Sequence, residues 1–316
     1  MLFRLTLVHG ALLVLAGLAA GCRDPFKQPA WESGAVITEA DSIDAVAVDD
    51  SGVYFITGGH QAAENALRVA PLAGGPSRVL AKGGAVLFAG GVAVDATHVY
   101  VATQFDGQIL RVAKAGGALE KVTDAAIGAG QMAVDEGSVY FLQFSKISGA
   151  LRKVPKAGGP AVELATGIRG GDSLFATKTH LYWTAREGIF SVPKAGGPAT
   201  LEVPPSPLGS ALQVAADATH LYFAVDPARS KLYRRPLAGG PAEVLSPSIN
   251  GNAPIRVLGG QLYFTDNQGS SGTAVKRIPV AGGAPVSLGA GYLHSYDVHG
   301  SGVYVNTRFN VVRLGL

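Results

Sequence analysis

The sequence predicts an all-β fold: a seven-bladed β-propeller of four-stranded antiparallel blades, with its ring closed by an N-terminal strand that completes the last blade. Three observations lead there. A tripeptide centred on tyrosine recurs at Tyr54, Tyr100, Tyr140, Tyr182, Tyr222, Tyr263 and Tyr304, in steps of 40 to 46 residues. A period near 40 in β-type residues marks a propeller or a similar array. A glycine turn such as "SVPKAGGPAT" (Ser191 to Thr200) follows each of the first six tyrosines and is missing after the seventh. The composition, with 43 Gly, 18 Pro and 16% charged residues, is too apolar for a disordered chain and too broken for a helical one.

Residues 1–21, "MLFRLTLVHGALLVLAGLAAG", read as an export signal: Arg4, an apolar run to Ala20 that is short for a membrane span, then small residues. Leu18-Ala19-Ala20-Gly21-Cys22 resembles a bacterial lipoprotein box, with Ala19 where leucine is usual. The resemblance implies that Cys22 carries lipid, begins the mature chain and anchors it to a membrane of the bacterial envelope. Cys22 is the only cysteine, so no internal disulfide can form. Residues 22–33 then read as a short polar tether, and 34–316 as the propeller.

Residues 91–124 show how each unit divides. "GVAVD" is followed by the turn "ATH", "VYVATQ" by "FDGQ", "ILRVAK" by "AGG", and "LEKVTD" closes the unit. Apolar residues alternate with small or polar ones, as half-buried strands require. The glycine turn reverses the chain between third and fourth strands, where backbone angles with φ > 0 favour glycine. It is expected to be structural and carries no chemistry in this reading. The seventh unit supplies only "SYDVHG", "GVYVNT" and "VVRLGL"; the missing strand is "SGAVITEAD" (Ser33 to Asp41) at the other end. Pairing the two removes both exposed edges.

"LYFTDNQGSSGTAVKRIPVAGGAPVSL" resembles the repeats of bacterial TolB-type propellers, and "HLYWTA" and "QLYFTD" are similar to YWTD-type repeats. The likeness covers residues 35–316 at the level of repeat pattern. Those families are typically six-bladed and mostly bind other proteins, which implies a binding role here. Virginiamycin B lyases are similar in build, with seven blades, and imply an enzymatic alternative.

No G-x-S-x-G, H-E-x-x-H, P-loop or cysteine pair is present, so no catalytic residue, metal or cofactor is assigned. "GAGQMA" (128–133) and "GAGYLH" (289–294) read as inter-blade loops rather than dinucleotide fingerprints. The formal charge of +3 comes without a basic stripe, which leaves nucleic acid unsupported. His98, His180 and His220 occupy the same turn of three blades, and Asp49, Asp95, Asp135 and Asp217 end first strands, where aspartate bonds its own turn.

The "ATH" and "AGG" turns share one face of the ring, and the other face is irregular. A binding site is expected there. Asp44, Gln131, Asp172, Gln213, Arg256 and His294 are expected near the axis on that face, with His294 and Asp172 as a base and a cation partner. Gln104, Asp106, Arg186, Asp226, Arg229, Asp266 and Arg308 lie farther out. The leading reading is a monomeric, membrane-anchored envelope propeller that binds a protein partner without catalysis. The alternatives are a lyase or hydrolase at the axis, and a carbohydrate-binding module using Phe105, Phe144, Tyr292 or Phe309.

Overall fold

The computed structural model describes residues 31–316 except 32–33, 41, 59–64, 84–88, 104–105, 127, 130, 145–148, 172, 206–210, 226–230, 252, 268–271 and 301. The signal, Cys22, all of the tether but Trp31, Gln104, Phe105, Asp172, Asp226 and Arg229 lie outside the described residues, as does the Phe144 side chain.

The second strands explain the architecture. In Gly52–Thr57, His98–Thr103, His180–Ala185 and His220–Val225, four consecutive residues are buried or nearly so. A strand apolar on both sides needs cover on both faces. Each sheet therefore lies between two others. Tyr54 packs with Val99 and Val101 of the next blade, whereas Phe55 packs with Tyr304 and Ile37 of the preceding one.

The result is seven four-stranded sheets, all paired antiparallel. Blade 1 runs outward through Ile43–Asp49, Gly52–Thr57, Ala66–Ala70 and Arg78–Lys82. Blades 2 to 6 begin with inner strands Ala89–Val94, Met132–Val134, Leu174–Ala176, Ala211–Ala216 and Arg256–Leu258. Blade 7 consists of Ser295–His299, Gly302–Asn306, Asn310–Gly315 and, outermost, Ala35–Glu39. Neighbouring inner strands touch all the way round, and Ser295–His299 lies against Ile43–Asp49. No helix occurs among the described residues.

Seven buried apolar clusters occupy the seven interfaces, and each contains the repeat tyrosine of one blade. Those tyrosines are at most 5% exposed. Burying such a ring is worth on the order of 2 to 3 kcal/mol, so the tyrosine period is the period of the core itself.

Two local devices repeat. In each glycine turn the first glycine donates its amide to the residue three before it, as Gly196 does to the Pro193 carbonyl at 2.9 Å. Its φ of 95° is in the left-handed region, which explains the glycine. Every outer strand also carries a one-residue bulge at the same register, leaving Ile37, Leu80, Val122, Leu164, Glu202, Leu245 and Leu288 as the extra residues.

Closure follows the expected pairing. Ala35–Glu39 lies antiparallel to Asn310–Gly315, with Val36 opposite Val312 and Glu39 opposite Asn310. The seam is reinforced by the Asn306 side-chain amide donating to the Ile43 carbonyl at 3.0 Å and by the Ala40 amide donating to the Phe309 carbonyl at 2.9 Å. In "GAGQMA" the described residues Gly128, Ala129 and Gln131 precede the inner strand of blade 3, which begins at Met132 and includes Ala133; in "GAGYLH" the residues Gly289 to Gly291 end the outer strand of blade 6.

Deleting 311–316 removes Val311, Val312 and Leu314, all at most 4% exposed, from two interfaces and leaves Ala35–Glu39 unpaired. The truncated protein is expected to lose its cooperative thermal transition or to aggregate, whereas deleting 23–28 should leave the melting curve unchanged. Superimposable curves for intact and C-terminally truncated protein would contradict the closed ring.

Candidate functional site

One joint recurs on the regular face. Asp95 ends the inner strand of blade 2. Its Oδ1 accepts the Thr97 and His98 amides at 2.7 and 2.8 Å, and its Oδ2 accepts the Tyr100 hydroxyl at 2.9 Å. The same Oδ2 takes the ammonium of Lys156, from the glycine turn of blade 3, at 2.6 Å. Asp135 repeats the pattern with the Gly137 and Ser138 amides, the Tyr140 hydroxyl and Lys194 of blade 4. Asp49 pairs with Lys114 of blade 2, whose ammonium lies 5.3 Å from the Tyr54 ring centre. The glycine turns therefore do more than reverse the chain: their lysines tie neighbouring blades together.

The chain shows this signal once its units are aligned on tyrosine for the aspartates and on the glycine turn for the lysines. The aspartate column reads Asp49, Asp95, Asp135, Thr177, Asp217, Leu258, His299, and the lysine column Leu72, Lys114, Lys156, Lys194, Leu237, Val280. Lysine occurs only where the preceding blade has aspartate. His98, His180 and His220 bond through Nδ1 to Thr97, Thr179 and Thr219 at 2.8 to 2.9 Å and lean on their own tyrosines at 6.2 to 6.3 Å. They belong to turns of separate blades.

These joints perturb titration. Burial opposes the charged form of Asp135, but Lys194, the Gly137 amide, Tyr140 and the Ser138 amide outweigh it and pull the carboxyl down to about 2. Asp95 is lowered further, burial being outweighed by Lys156, the Thr97 and His98 amides and Tyr100. Burial and the hydrogen bond to Asp135 push the Tyr140 phenol up to about 12.

On the irregular face the expected residues spread over several levels. Asp44 is the extra residue of an inner-strand bulge in blade 1, with its Oδ2 over Gly58, where a Cβ would come within 2.4 Å. Gln131 is exposed and precedes the inner strand of blade 3. Gln213 is 6% exposed, within the inner strand of blade 5 opposite Ala224. His294 is exposed, and its amide donates to the Asn306 carbonyl at 2.8 Å. Asp266 is 7% exposed and holds Ser248 and Lys276 within 2.9 Å, so it ties its own blade to the connection from blade 5.

Arg256 sits deeper than the mouth. It lies opposite Tyr263, in the register held by Ala47, Ala93, Ala133, Phe175, Ala215 and Asp297 in the other blades. Arg256 Nε donates to Asp297 Oδ1 at 2.9 Å, and Asp297 Oδ2 accepts the Val48 amide at 3.1 Å. One side-chain pair thus links the inner strands of blades 6, 7 and 1. Asp297 was not among the expected residues, although two opposite charges in an otherwise mostly alanine column single it out.

Blades 3 and 4 enclose a further cleft of about 290 Å³ lined by Ile168, Arg169, Trp183, Glu187 and Phe190. Trp183 stacks on Phe190 at 5.6 Å and 16°, and its buried Nε1 has no hydrogen-bond partner among the described residues. The cleft can take a flat apolar group that carries an acceptor. No pattern in the sequence reading pointed to it, because it depends on the pairing of Trp183 with Phe190 across two strands.

No protein-family model and no curated protein matches the chain. Among solved structures, puromycin hydrolase is similar at a TM-score of 0.65 and 14% identity over 85% of this chain. The chain spans 50% of that protein's length. The putative TolB from Agrobacterium tumefaciens is similar at a TM-score of 0.51 and 15% identity, over 76% of this chain and 94% of that one. The computationally designed Ika8 protein is similar at 0.57 and 12%, over 89% and 98%. At these identities the likeness is one of fold.

The joint makes two measurable demands. Asp95→Ala strips five donors of an acceptor and should cost about 2 to 3 kcal/mol, against about 1 kcal/mol for Lys156→Ala; urea unfolding midpoints give the order. Because the folded pKa values are depressed, the carboxylates' stabilisation is present above the unfolded value near 4 and is lost as pH falls toward 2. Acid titration of the wild type should show destabilisation in that window, and the Asp135→Asn variant should show less of it.

Proposed function

We propose that the protein is a lipid-anchored binding module of the bacterial envelope whose irregular face holds a protein partner. What supports this reading is the division between the two faces. Third and outer strands are joined by six residues in blades 2 to 6 and seven in blade 1. On the other face, second and third strands are joined by two residues in blade 4 (186–187) and eight in blade 1 (58–65). A scaffold is built by repetition and recognition by departure from it.

The entry of the chain fits that orientation. Trp31 donates its indole N–H to the Tyr292 carbonyl at 3.0 Å, at the irregular-face end of blade 6. Nine residue steps separate Trp31 from Cys22 and span at most about 30 Å. A lipid on Cys22 would hold the irregular face within that reach of the bilayer, where a membrane-bound partner is met. Stable anchoring then takes more than one acyl chain.

A second reading is favoured by one observation, the unpartnered Trp183 indole beside Phe190: a small-molecule or carbohydrate site between blades 3 and 4. Oligosaccharides that quench tryptophan fluorescence in the wild type but not in a Phe190→Ala variant would favour it.

Cys22→Ser should release the protein from the membrane fraction, and mass spectrometry of the wild type should find a diacyl or triacyl modification on Cys22. An unmodified mature terminus elsewhere would overturn the anchor. With the anchor intact, cross-linking in envelopes should recover partners that an Asp44/Gln131/His294 triple alanine variant loses and a His98/His220 double alanine variant keeps. Recovery of the same partners by all three proteins would move the site off the irregular face.

A further inference from the structure

The interface between blades 4 and 5 departs from the repeat at three positions at once. Thr177 stands in the aspartate column and Leu237 in the lysine column. Glu202 is the extra residue of the outer-strand bulge, a position that is Ile, Leu or Val in the other six blades. The Leu237 backbone sits where the lysines sit: its amide donates to the Thr219 carbonyl at 2.8 Å, as those of Lys114 and Lys194 do to Thr97 and Thr179 at 2.9 Å. With a shorter side chain there, a cleft of about 720 Å³ opens on the regular face, lined among others by Phe175, Thr177, Tyr182, Glu202 and Leu237.

Tyr182 points to what the cleft lacks. It is 5% exposed and lines the cleft, yet no described group hydrogen-bonds its hydroxyl. The corresponding hydroxyls of Tyr100, Tyr140 and Tyr222 each reach an aspartate at 2.6 to 2.9 Å. Burial and the nearby Glu202 charge raise the Tyr182 pKa. At three other interfaces a lysine fills this place, and the ammoniums of Lys114 and Lys194 lie 5.3 and 5.2 Å from the Tyr54 and Tyr140 ring centres. A cation over an aromatic face beside a carboxylate is a favourable arrangement.

We propose that the cleft between blades 4 and 5 binds a primary alkylammonium group, taking from outside the lysine that the repeat omits at Leu237. The stem lies along Leu237 and Phe175, the ammonium sits over the Tyr182 ring, and Glu202 supplies the charge. Glu202 is held ready: Oε1 accepts the Ser191 hydroxyl at 2.7 Å. Arg235 lies 3.5 Å from Oε2, but it gives its closer bonds to the Glu202 and Gly240 carbonyls at 2.5 and 3.1 Å. Asp217 also lines the cleft, with no lysine partner among the described residues, while Lys178 is exposed at its rim and His180 is bound to Thr179. At the comparable interface of blades 7 and 1, where Leu72 replaces lysine, His299 bonds to Asp50 at 2.8 Å and the cleft beside them is smaller, about 280 Å³.

The test uses the protein lacking only its first 22 residues, with n-butylammonium, 1,5-diaminopentane and the peptide Gly-Lys-Gly as probes in calorimetric titration. The Thr177→Asp/Leu237→Lys double variant rebuilds the internal tie. It should melt no lower than wild type and bind the amines at least about tenfold more weakly. Glu202→Gln, which keeps shape, should weaken binding by about tenfold as well. Binding of the free amines assigns the site to small amines, and binding of the peptide alone assigns it to a partner's lysine. Failure of all three probes to bind the wild type, or equal binding by wild type and both variants, would overturn the proposal. These outcomes are independent of whether the irregular face holds a partner.

Discussion

A four-stranded sheet that is apolar on both faces must be covered on both, and in this chain the cover is always another blade. That requirement is met at every interface only if the array returns on itself. The seventh blade lacks an outer strand until Ala35–Glu39 supplies it, and with that strand in place Ile37 joins Tyr304, Val311 and the residues of blade 1 in one cluster. The seam thus does two things at once: it pairs the edge of Asn310–Gly315 and completes the core between the first and last blades. Each interface is small, and its tyrosine ring contributes more than any surface ion pair can.

The polar ties are laid over that apolar ring and are unevenly distributed. Interfaces 1/2, 2/3 and 3/4 carry the aspartate–lysine joint. The remaining four interfaces use other means: Glu202 with Arg235 between blades 4 and 5, Arg234 with the Val280 carbonyl between 5 and 6, Arg256 with Asp297 between 6 and 7, and His299 with Asp50 between 7 and 1. One part of the ring is therefore uniform and the rest individual. Departures from repetition are also where the clefts lie at blades 4/5 and 7/1. A half-buried charge pair adds little net stability over apolar packing, which leaves such positions free to diverge toward binding.

Strand number, strand order and the closing strand were legible because the tyrosine and the glycine turn report the period of the core directly. The seam was legible for a simpler reason: one unit was a strand short and the other end of the chain had one to spare. The outer-strand bulges were not, since one extra residue changes neither the period nor the alternation. The joints escaped because Lys156 and Asp95 are 61 residues apart and meet only when units are stacked in columns. Arg256 was expected at the mouth and lies deeper because nine residues separate the outer strand of blade 5 from the inner strand of blade 6, so a count from the preceding blade enters the strand too early. Candidate ligand groups are harder still to read, because Tyr182 is notable only for a partner it does not have.

Closure carries the whole account, and native-state hydrogen exchange of the Ala35–Glu39 amides tests it most directly. If the strand is an integral part of the ring, its paired amides exchange only with global unfolding, at the same free energy as those of Gly302–Asn306, two strands away in the same blade. Exchange of the 35–39 amides through local fraying, while Gly302–Asn306 and Ile43–Asp49 stay protected, would show a ring that holds without its N-terminal strand and would contradict the account.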